Sequence, residues 1–339
     1  MLLVLAMLVS LLAGMTLTAS AAQPTSAADV NYVTSGQYVY NWGKRDTAAT
    51  FLTTYAQEYY TGNYTYEKLS ALSGSNGTGT EFYSSAMGTA IHNMLEDKQT
   101  YTNSYDANKT LLQYTECEES STTTISSYYS GTSMGSTWGS GWNREHTWPN
   151  SKGLGGSDES DVMMIKPTLE SENSSRGNTA YGESSGFFDP NGNGQSMHGD
   201  VARLMLQHLM RWGNTSYFYG SSGVMESRAV LLKWMEEDPV DTWEMGRNDA
   251  VQQITGVRNV FVDYPELAFL LLGASIPENY TTPSGGSSGT DTPAQEYTVS
   301  FSVPNGVTQP SAITGSKVTL PTPTGTPTGS YTYTFKGWV

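Results

Sequence analysis

The run Asn143-Arg144-Glu145-His146-Thr147-Trp148-Pro149 restricts the fold of this chain more than any other segment. Flanked by tryptophans and closed by a proline, residues 142–148 read as a strand that Pro149 stops. Neighbouring residues on a strand project to opposite faces. Glu145 and His146 can serve one site only if the strand bends or bulges before Pro149. A second polar cluster, Asn173-Ser174-Ser175-Arg176-Gly177-Asn178, begins 27 residues after His146 (173 − 146). Between the two, a short strand is predicted over residues 161–166, stopped by Pro167, and a helix over 170–176. The order is strand, loop, strand, helix.

These residue types suit the hydrolysis of a phosphodiester. The negative charge of such an ester repels an attacking oxygen, and departure of the leaving group builds charge on a second oxygen. A neutral imidazole, here His146, can take a proton from water near pH 7. Glu145 offers a carboxylate oxygen and Asn173 an amide oxygen to a hard divalent cation, which can neutralise the developing charge. Asn173 could instead cap a helix, and Asn178 competes with it for the ligand role. Arg144 and Arg176 either contact phosphate or pair with carboxylates, and Arg176 is placed beside His146 as a candidate catalytic residue; Lys152 and Lys166 are weaker candidates for phosphate. Asp161 reads as a brace for the site. His92, His198 and His208 fall in helical context and read as structural. A zinc protease is a poor reading, since no H-E-x-x-H motif is present and the four histidines are scattered.

The chain has 339 residues, enough for one large domain and a smaller one. Its net charge of −15 opposes nonspecific capture of nucleic acid, which normally relies on Lys and Arg. A local basic rim, or a bound cation, must offset that field. Cys117 is the only cysteine, so no intramolecular disulfide can form. Its acidic neighbours Glu116 and Glu118 disfavour a thiolate, which argues against a nucleophilic role. Residues 1–15 are nearly unbroken apolar sequence, and Ala19-Ser20-Ala21 fits a signal-peptidase site. Residues 1–22 therefore read as a signal peptide, although no Lys or Arg precedes the apolar run. The alternative is an uncleaved anchor, but the run is shorter than the roughly 20 residues a span needs. The expected mature protein is secreted and has no transmembrane helix.

Apolar residues at helical spacing predict helices over 48–60 and 86–95, separated by a glycine-rich loop at 73–79. Residues 126–142 are loop-rich, with tyrosines and tryptophans interleaved among glycines. A further helix is predicted with Asp200 as its cap and Val201, Leu204, Met205, Leu209 and Trp212 on one face. Others are predicted over 228–237, over 242–255 with Gly256 beyond the end, and over 263–273 with Asp263 as N-cap and Pro265 early. Residues 276–295 read as a Gly/Ser/Thr/Pro linker. Strands are predicted over 297–303, 317–320 and 331–335, a small all-β unit truncated at Val339.

The motif from Asn143 to Ser151, with Ser160-Asp161, Asn173 to Asn178 and Tyr181-Gly182-Glu183, resembles the bacterial endonuclease I family. Gly199 to Arg203, Trp234 to Asp241, Arg247-Asn248-Asp249, Arg258-Asn259 and Asp263 with Pro265-Glu266 extend the similarity over residues 50–275. The resemblance implies an α+β fold in which a ββα-metal finger (His-Me finger) core is embedded in a mainly helical domain, residues 23–275. It further implies His146 as general base and Glu145 and Asn173 as ligands of one divalent ion. That ion would be Mg2+, with Mn2+ or Ca2+ as alternatives. The implied substrates are DNA, and RNA as a second one, cut with little sequence preference to leave 5′-phosphates. The chain departs from the family pattern at Met163-Met164, where polar ring residues are usual, and at Lys166, His198, Val260 and Tyr264. The truncated module, residues 296–339, resembles the β-rich repeats of bacterial surface proteins and implies association with a wall or surface. A competing reading is a catalytically weak surface-binding protein that keeps the nuclease fold.

Overall fold

The computed structural model describes residues 59–118, 121–193, 196–278 and 280, with two short segments further on, 297–299 and 313–315. The chain divides into two units, residues 1–288 and 289–339.

The first unit is α+β. Among the described residues its named elements begin with α1 (Tyr66–Ser70), α2 (Gly79–Tyr83), α3 (Ala86–Lys98) and α4 (Asn108–Thr115). Two small antiparallel ribbons follow, β1 (Thr124–Ser126) with β2 (Ser133–Gly135), and β3 (Trp142–His146) with β4 (Ile165–Leu169). Next come α5 (Glu170–Arg176), α6 (His198–Trp212), α7 (Arg228–Glu237), α8 (Thr242–Thr255), α9 (Val260–Asp263) and α10 (Glu266–Leu271). In the second unit β5 (Tyr297–Val299) pairs antiparallel with β6 (Ile313–Gly315), Thr298 opposite Thr314. The predicted export signal, the strands over 317–320 and 331–335, and most of the helix over 48–60 and of the linker lie outside the described residues. Among the described residues no helix is long and apolar enough to cross a membrane.

Helix boundaries follow local chemistry. The Ser85 hydroxyl accepts from the Gly88 amide to start α3, and the Ser227 hydroxyl from Val230 to start α7. A capping box between Asp241 and Glu244 starts α8, and Gly256 ends it in the left-handed region, at φ 79°. The predictions for 170–176, 228–237 and 242–255 coincide with α5, α7 and α8, while α3 runs three residues past the predicted 86–95. The short α2 was not legible as a helix. Helix α6 is buried on nearly every face and packs against α3, α7 and α9. It begins at His198, so Asp200 sits in its first turn rather than capping it, and pairs with Arg203 at 3.3 Å.

Two predicted boundaries are corrected by tertiary contacts. Asp263 does not cap the last helix; it closes α9, fully buried, and its carboxylate takes two hydrogen bonds from Arg258 at 2.6 and 2.7 Å and one from the Tyr60 hydroxyl at 2.5 Å. The second strand is Ile165–Leu169 rather than 161–166, with Pro167 inside it. Pro167 is tolerated because the amide it lacks would point away from β3. Its carbonyl, on that same side, accepts from the Tyr128 amide at 2.9 Å, so no bond between the strands is lost.

The core carries several buried cations, each matched to acids. Arg258 also reaches Asp249 at 2.7 Å, Arg247 reaches Glu116 at 2.6 Å, and Arg203 reaches Glu244 at 2.6 Å. Removing one partner of such a pair strands a charge in a medium that solvates it poorly. Arg258→Met is expected to lower the free energy of unfolding by about 3–5 kcal/mol, read by urea denaturation. An unchanged midpoint would mean that Asp249 and Asp263 are adequately solvated without it.

Candidate active site

Strand β3 ends at His146, and the chain bends at Thr147 and Trp148 before Pro149. This is the bend that the adjacent Glu145 and His146 require. The register sets Glu145 opposite Lys166 and His146 opposite Ile165. Helix α5 follows β4 without a gap, which carries Asn173 back past the end of β3. Gly177, at φ 54°, ends that helix in a conformation other residues rarely adopt and leads directly to Asn178. Glu145, His146, Arg144, Asn173 and Asn178 line one open cleft of about 630 Å3.

Glu145 is only 2% exposed. One of its oxygens, Oε1, accepts from the Tyr129 hydroxyl at 2.8 Å and from Arg176 at 3.2 Å. Tyr129 has one proton to give and gives it to the carboxylate, so at 2.6 Å it accepts from Tyr181. The loop after β1 positions Tyr129: Ser127 accepts from the Leu169 amide at 3.0 Å and donates to Glu172 at 2.5 Å. Burial pushes the Glu145 carboxyl above its ordinary value, and Arg176 and Tyr129 oppose that shift.

The His146 ring stacks on Tyr105, with centroids 5.1 Å apart. Its Nε2 lies 3.0 Å from the Glu159 carbonyl oxygen. A carbonyl can only accept, so Nε2 carries the hydrogen and Nδ1 keeps the lone pair. Burial pulls the His146 pKa below 6.5, and the Glu159 contact opposes it. The imidazole is therefore neutral near pH 7, with a defined basic atom.

The sequence-predicted residues divide into two groups. Arg144 lines the cleft, where its guanidinium lies over Tyr105 at 3.7 Å and donates to the Tyr105 carbonyl at 2.6 Å. Arg176 is buried, 1% exposed, and does not line the cleft; it binds Glu145, the carbonyls of His146 and Gly177 at 2.9 and 3.3 Å, and that of Thr147 at 2.7 Å. Lys152 lies apart, donating to the Ser222 carbonyl at 2.9 Å. Lys166 is buried beside Glu116, 3.6 Å away, and lines a separate cavity with Arg247 and Glu244. Burial, then Arg247, pulls its pKa down. Asp161 accepts from the Trp212 indole and the Met163 amide at 2.8 and 2.9 Å, which ties down the turn that carries the Glu159 carbonyl. Met163 and Met164 pack in the core, away from the cleft. Tyr129, Tyr105 and the Glu159 carbonyl were not assigned to the site from sequence, and Tyr181 entered only as part of the motif that carries the resemblance. The tyrosine pair at 128–129 was a visible signal, but nothing local links Tyr105 to His146.

The donors suit a hard divalent cation. Glu145 keeps Oε2 outside the hydrogen bonds of Oε1, and the Asn173 amide makes no hydrogen bond among the described residues. Two oxygen ligands on an open cleft leave room for water, as an ion of the Mg2+ type requires. A second group, Glu183, His198 and Glu237, has ligand atoms within 4.8 Å of one another. There the Lys233 ammonium already bridges the acids, 2.8 Å from Glu183 and 3.5 Å from Glu237, and supplies the positive charge.

A strand pair and helix bring a buried carboxylate, a side-chain amide and a neutral imidazole to one cleft, a set whose chemistry fits a cation and a base. The chain matches the profile of the Endonuclease I family over residues 68–266, more than half its length, and belongs to that family. It is similar to an extracellular ribonuclease of Bacillus amyloliquefaciens, 32% identical over 152 residues, which covers 38% of this chain and 52% of that protein. An extracellular ribonuclease of Bacillus subtilis (strain 168) is 31% identical over 151 residues, with the same two coverages, 38% and 52%. The chain thus spans about half the length of the curated relatives it matches. No solved structure matches it.

Arg176 and Glu145 should be energetically coupled. Arg176→Met is expected to destabilise the fold by about 3–5 kcal/mol, because it leaves a buried carboxylate uncompensated. Adding Glu145→Gln should recover part of that loss, a coupling of about 1–3 kcal/mol in a double-mutant cycle read by urea unfolding in chelator. Strict additivity would show that the two side chains do not depend on each other.

Proposed function

We propose that this chain is a secreted, metal-dependent endonuclease of the ββα-metal finger type that hydrolyses phosphodiester bonds in RNA and DNA. The observation that carries the reading is the His146 tautomer, fixed by the Glu159 carbonyl, on the same cleft as Glu145 and Asn173. Family membership supports the reaction class. The two relatives, both named extracellular ribonucleases, support RNA as a substrate and export as the destination.

In this reading His146 Nδ1 takes a proton from the attacking water, and stacking on Tyr105 holds the ring plane. Glu145 and Asn173 hold one divalent ion, Mg2+ first and Mn2+ or Ca2+ as alternatives. When bound, the ion supplies positive charge against the phosphate and the departing oxygen. Arg176 acts through Glu145, by aiming its carboxylate, and does not touch substrate. Arg144 is the cation on the cleft itself and meets phosphate there. Asn178 lines the same cleft, and Asp161 braces the turn behind His146. Lys152 and Lys166 have no part in substrate binding. Residues 23–275 form the nuclease domain in this scheme, with residues 296–339 as an appended surface module.

Incubation of RNA and of plasmid DNA with and without chelator tests the proposal. Cleavage should need a divalent ion and leave 5′-phosphates. It should drop by at least about 100-fold in His146→Ala, the scale of a lost general base. Absence of cleavage with every divalent ion tried would favour the catalytically weak surface-binding protein. The pH profile is a separate check. His146 must be unprotonated and its pKa lies below 6.5, while Glu145 must be ionised and its pKa lies above 4.5. Activity should therefore fall on the acid side, with a midpoint below the ordinary imidazole value where His146 sets it and above the ordinary carboxyl value where Glu145 sets it. A rate that is flat to pH 4 would assign the proton to another group.

A further inference from the structure

A continuous ladder of rings and cations runs outward from the site. The His146 ring lies on Tyr105, the Arg144 guanidinium covers Tyr105 and then stands 4.9 Å from the Trp138 ring, and the Lys109 ammonium lies 5.4 Å from the same ring. Lys109 also pairs with Asp106. Trp138 is 37% exposed, one of two large exposed hydrophobic side chains among the described residues. It stands edge-on to the buried Trp142, with ring centroids 5.0 Å apart. The loop that carries it includes Gly139 and Gly141, and a Cβ added at either would meet nothing within 4 Å. Trp142 thus packs edge-on against the indole, Arg144 and Lys109 lie over its ring, and 37% of its surface stays open.

An exposed indole flanked by two cations has the composition of a stacking platform for nucleic acid. A base lies on the ring while the adjoining phosphates are met by positive charge. The net charge of −15 makes a local pair of cations at the cleft mouth more selective for phosphate than it would be on a basic protein. Bases inside a duplex have both faces covered by their neighbours, so only an unpaired base can lie on the ring.

We propose that Trp138, continued by Arg144 and Lys109, is a base-stacking subsite that makes this chain select single-stranded nucleic acid. The proposal deepens the nuclease reading and rests on it for the position of the scissile phosphate. Stacking of one unpaired base on Trp138 orients the adjoining phosphate along Arg144 toward the cleft that holds His146. Every base has an aromatic face, so the subsite selects strandedness and not sequence.

Binding measured in chelator separates this subsite from catalysis. The probes are a single-stranded oligonucleotide, its duplex, and an oligomer of the same length built from abasic nucleotides. Wild type should bind the single strand about ten-fold more tightly than the abasic oligomer, the scale of stacking one base. That ratio should survive added salt, since both oligomers carry the same phosphates. Trp138→Ala should bring the ratio close to one and leave abasic binding unchanged, while Trp138→Tyr keeps most of it. Equal wild-type affinity for the three probes overturns the proposal, and so does a ratio that survives in Trp138→Ala. The wild-type comparison needs no variant to fold. A protein that shows the preference but cuts nothing when a divalent ion is restored keeps the subsite and sinks the nuclease reading instead.

Discussion

The site depends on the contact between the Arg176 guanidinium and the Glu145 carboxylate. A carboxylate 2% exposed loses most of its hydration, and burial drives it toward the neutral acid, which is a poor ligand. Arg176 opposes that with a charge 3.2 Å away, and Tyr129 with a hydroxyl 2.8 Å away. The same guanidinium binds the carbonyls of His146 and Thr147, the residues where β3 ends and the chain turns. One side chain therefore aims the acid and fixes the bend that lets Glu145 and His146 serve one cleft. Arg176 is itself buried, so this work is done out of reach of any substrate.

That division of labour accounts for the charge balance. The chain is strongly acidic, yet most of its buried cations answer particular acids: Arg203 with Glu244, Arg247 with Glu116, Arg258 with Asp249 and Asp263. These pairs hold helices together and project little field outward. Among the described residues that line the cleft, Arg144 is the only Lys or Arg, with Lys109 beyond it. Attraction for a polyanion is accordingly local, so ring contacts and oxygen ligands must contribute what long-range steering does not.

Much of this was legible in the sequence, for reasons that can be named. Helices α7 and α8 carry their start signals in Ser227 and Asp241, and α8 its stop in Gly256, all within a few residues of the ends. The need for a bend followed from the adjacency of Glu145 and His146 alone. Where the reading failed, a contact that no local signal marks decided the outcome. Asp263 looks like a cap until Arg258 and Tyr60 fold over it. Pro167 looks like a strand end until the Tyr128 amide shows which side its carbonyl faces. The sequence left Arg176 between phosphate and a carboxylate and offered Lys166 as a weaker phosphate ligand, because it does not reveal burial. Tyr105 lies 41 positions before His146 (146 − 105), and nothing in either neighbourhood announces the stack.

Four of the positions where the chain departs from the pattern it resembles, Met163, Met164, Lys166 and His198, lie outside the cleft. Met163 and Met164 sit in the core, and Lys166 lies against Tyr128 and Trp243 within 5.1 Å, beside a cavity shared with Arg247 and Glu244. His198 stacks on Trp234 at 4.2 Å, in the group with Glu183 and Glu237. None of these residues lines the cleft that holds Glu145, His146 and Asn173. A buried layer can exchange polar rings for methionines as long as its volume is filled, because methionine adapts to irregular space. The cleft has no such freedom: a carboxylate, an amide and an imidazole must meet at set distances.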